Sequence, residues 1–128
     1  MISLALSYPV SANRYWFVFR NRVVLSKEAR AYKAEAAAAM ARSYPHWRLL
    51  TGAIVMRIWL HPKKNKDGSA CKRRLDLDNA QKVAIDALNG VAYVDDCQHV
   101  DIHTRLGAAV DGGGLLVEIE EGGNDRSA

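Results

Sequence analysis

Ile54, Met56, Ile58 and Leu60 alternate with Val55, Arg57, Trp59 and His61 over eight consecutive residues. Successive strand side chains point to opposite faces, so this octet reads as a strand, within residues 53–61, with one wholly apolar face that needs a covering layer. Two helical patterns can supply it. Ala29, Tyr32, Ala36 and Met40 recur at helical spacing behind Ser26, a good N-cap, with Glu28 in the first turn and Pro45 as the stop. Ala80, Val83, Ala84, Ala87 and Leu88 form a second stripe, expected to be capped by Asp78 or Asn79 and to run to about Asn89, with Gly90 ending it.

The other strands are shorter. Ile2, Leu4, Leu6 and Tyr8 alternate before Pro9, which predicts a strand over residues 2–8. Val100, Ile102, Thr104 and Leu106 predict another. Leu115, Val117 and Ile119 follow the turn Asp111-Gly-Gly-Gly114 and are expected to pair back on it as a hairpin. Residues 9–25 read as a loop or short hairpin, in which Arg14, Arg20 and Arg22 among Tyr15, Trp16, Phe17 and Phe19 could grip phosphates and stack on bases, although anchoring of the segment to the core is the expectation. Residues 62–74 form a polar, glycine-containing loop whose composition implies mobility until something binds. The order is β-α-β-α-β-β. This is an α+β fold, with two helices packed on a mixed four-stranded sheet in one domain over 1–121, and 122–128 as a frayed tail.

Two cysteines, Cys71 and Cys97, are too few for a disulfide framework and fit a reducing compartment. The N-terminus has a strand's alternation rather than a signal peptide's continuous apolar stretch, and no run is long enough to cross a bilayer. A soluble cytoplasmic protein without a membrane partner is the expectation.

The charges are segregated along the chain. Residues 1–75 carry 15 Lys/Arg against 3 Asp/Glu, whereas residues 76–128 carry 3 against 11. A basic region suits a polyanion and an acidic one suits divalent cations. The bland alternative is mutual neutralisation on a solvated surface.

The two regions meet at Arg73-Arg-Leu-Asp-Leu-Asp-Asn-Ala-Gln-Lys82, followed by Asp95-Asp-Cys-Gln98. In an extended segment Asp76 and Asp78 would point the same way, roughly 6–7 Å apart. Lys82 lies one helical turn beyond Asp78 on the same face. Hydrolysis of a phosphodiester needs such a set. Magnesium takes one or two carboxylates and fills its remaining positions with water and substrate phosphate. It also acidifies a bound water, while a lysine neutralises phosphoryl charge. Asp95 and Asp96 could add a ligand if the strand after them starts beside the helix N-terminus. The structural alternative makes Asp78 a cap, Lys82–Asp86 a helical ion pair and Asp95-Asp96 a turn. Spacing alone leaves both open.

Other chemistries are poorly supplied. His99, Asp101, His103 and Arg105 would share a strand face near Cys97, but without a zinc-type ligand motif a polar face is the better reading. No glycine-rich phosphate loop is present, so no nucleotide cofactor is expected. A non-catalytic RNA-binding sheet would display aromatics on its central strands, and the last two strands have none.

Through Asp76-Leu-Asp-Asn79, Gln81-Lys82, Asp86-Ala-Leu88 and Asp95-Asp-x-Gln98, the chain resembles the RusA family of Holliday-junction resolvases. The resemblance extends upstream through Asn13-Arg14-Tyr15 and the helix opening at Ser26. It implies a homodimeric, magnesium-dependent endonuclease, with manganese able to substitute, that nicks four-way DNA junctions symmetrically in recombination and repair. By matching positions, Asp76, Asp78, Lys82 and Asp96 would be catalytic. Asp76, Asp78 and Asp96, supported by Asp95, would hold the metal. Asn13, Arg14, Lys63, Lys64, Lys66, Lys72, Arg73 and Arg74 are the candidates for DNA contact. A metal nuclease without junction selectivity remains the nearest alternative.

Overall fold

The computed structural model describes residues 1–122. Its elements are β1 (Ile2–Leu6), α1 (Ala12–Tyr15), β2 (Trp16–Phe19), β3 (Arg22–Leu25), α2 (Lys27–Ser43), β4 (Ile54–His61), α3 (Leu77–Leu88), β5 (His99–Leu106) and β6 (Gly114–Glu121), with a single 3-10 turn at Asp96–Gln98 before β5. The α+β class and the mixed four-stranded sheet stand as expected. The two-stranded β2–β3 sheet is the short hairpin that the reading of residues 9–25 allowed, and the four-residue α1 before it is an addition. No described helix is long and apolar enough to cross a membrane.

Strand order in the main sheet is β1-β6-β4-β5. β4 is central, and Ile54, Met56, Ile58 and Leu60 are completely buried. Alternation produces this directly: the even positions face the helices and the odd positions face away. α2 covers the β1 side of this face with Ala29, Tyr32, Ala36, Ala39 and Met40, and α3 covers the β4–β5 side with Ala80, Val83, Ala84, Ala87 and Leu88. Alanines at these contacts let both helix backbones approach the sheet closely.

The expected hairpin between the last two strands does not form. β5 pairs parallel to β4, and β6 crosses to the other side of β4, antiparallel to both β4 and β1. The reason is topological. α3 is a crossover helix, and a crossover returns the next strand parallel to the previous one. One side of β4 is then taken, leaving the other to β6. The connecting turn needs glycine at Gly113: its φ is +74°, and a Cβ there would lie 2.7 Å from the Tyr8 ring.

Further details differ from the sequence expectation. β1 stops at Leu6, and Tyr8 turns away to accept a 2.8 Å hydrogen bond from the Leu75 N–H. α3 begins at Leu77 with Asp76 as N-cap, rather than behind Asp78 or Asn79. β5 carries a bulge: Ile54 pairs with His99 but Val55 with Asp101. The extra residue moves His99 onto the half-buried side with Ile102 and Thr104 and leaves Val100 exposed. The basic segment 62–74 is tied by its own backbone, with Lys63 bridged to Val110 and Lys64 to Ala70 around a turn at Asn65–Gly68. Of the expected tail, Gly122 still donates to Ala53 O, and 123–128 lie outside the described residues.

Candidate active site

α3 carries most of the candidate residues, and its surroundings fix its orientation. The Asn79 side chain accepts from the Ala12 N–H at 2.7 Å, docking α1 against the first turn. The Thr104 hydroxyl donates to Gln81 Oε1 at 2.6 Å, docking β5. The Tyr15 hydroxyl donates to Asp86 Oδ2 at 2.7 Å. Burial, then the hydrogen bond to and charge of Asp86, push the Tyr15 phenol far above its ordinary pKa, so it stays a donor.

The C-terminal end of α3 is bracketed by side chains. The Lys33 ammonium donates to Asp86 O at 2.6 Å and Asn89 O at 2.7 Å, and the Tyr93 hydroxyl donates to Ile85 O. Carbonyls that a helix leaves unpaired are thus satisfied from α2 and from the turn after α3. Lys33 of α2 is half-buried. Burial lowers its pKa, with Asp86 opposing the shift. Tyr93 is completely buried; burial first, then the charges of Asp96, Asp86 and Asp95, raise its pKa.

The N-terminal end is different. Asp76 occupies the N-cap position, yet its side chain makes no capping hydrogen bond. An aspartate there ordinarily accepts from an early amide for about 1 kcal/mol of helix stability. Forgoing it leaves an exposed carboxylate available to something else. Asp78 follows in the first turn, also exposed, and Lys82 lies one turn further, about 6 Å along the axis. Asp78, Lys82 and Asp86 therefore form one stripe along α3.

Asp96 joins this stripe from the turn before β5. A cleft of about 250 Å³ is lined by Trp16, Lys82, Ile85, Asp86 and Asp96. The start of β5 thus stands beside the second half of α3, not beside its N-terminus as the sequence reading required. A helix joining two parallel strands runs against them, so its C-terminal half meets the beginning of the next strand. The turn is pinned by Gln98, whose Nε2 donates to Leu50 O and Gly52 O, and by the His99 ring, edge-on to Tyr93. Asp95 caps this turn, and its pKa is lowered first by a hydrogen bond from the Cys97 thiol. Its carboxylate is engaged locally, whereas Asp96 faces the cleft.

The helical ion pair between Lys82 and Asp86 is not formed. Among the described residues the ion pairs are Arg14–Glu28, Arg57–Glu118, Arg57–Glu120 and His103–Asp101, so Asp76, Asp78, Lys82 and Asp96 belong to none. Nor do three His, Cys, Asp or Glu side chains converge closely enough among the described residues to enclose a metal. The donor set nevertheless suits magnesium. That ion takes hard oxygen ligands and needs only one or two carboxylates when water and substrate phosphate complete its shell.

The basic candidates lie on the adjoining surface. A wider cleft of about 500 Å³ brings Arg14 of α1 and Lys63 together beside Tyr8, Ser11 and Leu75, directly before Asp76. Asn13 is exposed on α1, and Lys64, Lys66, Lys72, Arg73 and Arg74 are exposed along the segment leading into α3. Sequence reasoning missed Trp16 as a cleft residue and Lys33, Asn79, Gln81 and Tyr93 as the residues that fix α3. The aromatic run around Trp16 was the only signal for the first; the others depend on tertiary packing.

A family model described as Endodeoxyribonuclease RusA matches residues 7–120. The chain is 35% identical over 127 residues to the crossover junction endodeoxyribonuclease RusA of Escherichia coli K12, covering 96% of this chain and 97% of that protein. It is 33% identical over 123 residues to the protein of the same name from Enterobacteria phage 82, covering 95% and 96%. With a family match across nearly all the described residues and relatives aligned almost end to end, the chain belongs to the RusA endodeoxyribonuclease family.

Proposed function

We propose that this chain is a magnesium-dependent, structure-selective endonuclease that resolves four-way DNA junctions by paired nicking, in recombination and repair. The observation that carries the reading is the line of exposed carboxylates beside a lysine on α3, none of them in an ion pair among the described residues. The names of the E. coli and phage relatives supply the substrate class.

Asp76, Asp78 and Asp96 are the carboxylates that would supply the metal's one or two protein ligands, with Asp95 positioning the turn that carries Asp96. A bound magnesium ion supplies an acidified water and charge neutralisation at the phosphoryl oxygens. Lys82 places a further positive charge where the scissile phosphate enters the cleft, its charge undiminished by a carboxylate partner. Arg14, Lys63 and the exposed basic residues up to Arg74 hold the flanking backbone by counterion release.

A junction has two equivalent strands to cut, and each chain has one such cleft. A two-fold homodimer presents two clefts to a substrate of matching symmetry. The test is incubation with a four-way junction and a matched duplex, with and without magnesium, alongside Asp76→Asn, Asp78→Asn and Asp96→Asn. Each variant is expected to lose at least about a hundredfold in cleavage rate, about 2.7 kcal/mol of transition-state stabilisation, while still binding the junction. Full activity in any two variants refutes the site. Equal cutting of junction and duplex refutes the selectivity.

A further inference from the structure

The β2–β3 hairpin is a short arm with an unusual surface. Phe17 is 47% exposed, Phe19 54%, Val18 70% and Val23 71%. Trp16 and Leu25, paired at its base, pack on the core, and beyond them only Val24 is half-buried while the other residues are exposed. Register places Phe17 and Phe19 on one face and Val18 opposite Val23 on the other, so the arm is apolar on both sides. The anchoring expected of these aromatics from sequence therefore holds for Tyr15 and Trp16 only. An exposed apolar projection of this kind marks a contact surface.

We propose that this arm inserts Phe19, supported by Phe17, against unstacked bases at the branch point of the DNA junction; the proposal rests on the nuclease reading above. Three observations select nucleic acid as the occupant. The arm is basic as well as aromatic: residues 12–27 contain no Asp or Glu, and Arg20 and Arg22 flank the tip. The Arg20 guanidinium lies 5.2 Å from the centroid of the Phe19 ring, which puts a phosphate-binding charge beside a stacking face. The base of the arm is also continuous with the cleft, because Trp16 lines it together with Lys82 and Asp96. A second copy of the chain is the poorer fit. Arm-to-arm contact about a two-fold axis would bring the Arg20 and Arg22 charges of both copies together.

The arm is also shaped in advance. Arg20 and Asn21 both have positive φ, 52° and 62°, the two-residue turn whose twist matches a hairpin. Apolar wedges in DNA-bending proteins act by entering a weakened base step, and a branch point offers such a step without the cost of opening a continuous duplex. The arm would thereby read branching itself, at the cleft where the cut is made.

The experiment uses full-length protein carrying Asp76→Asn, so that DNA is bound but not cut, and junctions with 2-aminopurine beside the branch point. Binding is expected to raise the fluorescence of that base. Adding Phe17→Ser and Phe19→Ser is expected to abolish the rise and weaken junction binding about tenfold, with duplex affinity and sedimentation unchanged. Phe19→Trp is expected to restore both signals. Retained affinity and fluorescence in the double serine variant would overturn the proposal. So would a fall from dimer to monomer, which would assign the arm to subunit contact. Wild-type protein that cuts no branched DNA with magnesium would instead defeat the nuclease reading on which the proposal rests.

Discussion

Replacing Lys33 by methionine tests how α3 is held. Methionine keeps the length and apolar stem of the side chain but removes the donor that reaches Asp86 O and Asn89 O. Asp86 O keeps a second donor, the Asn89 N–H, so only Asn89 O is left without its side-chain partner. Burial disfavours the ammonium, which offsets the extra strength of a charged donor, so each bond is worth about 1 kcal/mol, as for a neutral pair. The expected loss is about 2 kcal/mol, or about 7 °C in melting temperature for a chain of this size. Lys27→Met, on an exposed position of the same helix, should stay within about 0.5 kcal/mol of wild type. The sign of the pH dependence follows from the lowered pKa of Lys33. The folded protein binds that proton less tightly than the unfolded chain does, so this group's contribution rises with pH through the alkaline range below the ordinary lysine value and is complete above it. Thermal melts of both variants across that range provide the assay. Equal melting temperatures for Lys33→Met and Lys27→Met would refute the bracket, because Lys33 would then be an ordinary solvated lysine.

Three other outcomes are expected. Neutralising Lys63, Lys64 and Lys66 should lower the slope of log affinity against log salt by about 3 in a titration of DNA binding, and an unchanged slope would place the segment away from DNA. Lys82→Ala should cut cleavage by at least about a hundredfold in single-turnover assays while binding weakens only a few-fold; wild-type rates would make Lys82 a surface residue only. Tyr15→Phe should destabilise the fold by about 2 kcal/mol in chemical denaturation, because it removes a donor from the Asp86 carboxylate.

Periodic patterns carried most of the fold. β4, α2 and α3 each bury the residues their spacing selects, and Ser26 caps α2 as its position and chemistry predict, accepting from the Ala29 N–H. Pairing was less legible. Nothing local in Leu115–Ile119 says whether the strand lies beside β5 or between β1 and β4, since that depends on which side of β4 the crossover through α3 has filled. The bulge at Val100 was hidden too, because an extra residue on one strand is defined only against its partner. The acidic candidates were visible as residue types at a spacing, but their arrangement was not. Asp96 reaches Lys82 and Asp86 only because helix direction is set by strand direction. Lys33 shows the complementary failure: a lysine among alanines reads as solvated until a second helix end lies under it.

The two ends of α3 are held differently. Lys33, Tyr93 and the turn through Val91 and Ala92 fix the far end, where the Leu88 carbonyl accepts from both of those amides. The near end begins with an aspartate that does not cap it. Amide exchange should therefore be slowest toward Leu88 and fastest in the first turn, a gradient that local opening free energies would map residue by residue. Small angular play at Asp76 and Asp78 would leave Lys82 and Asp86 almost stationary. Only the two exposed carboxylates at the start of the helix can then adjust to an incoming phosphate, because Asn79 and Ala80 hold the rest of the first turn and the cleft keeps its shape.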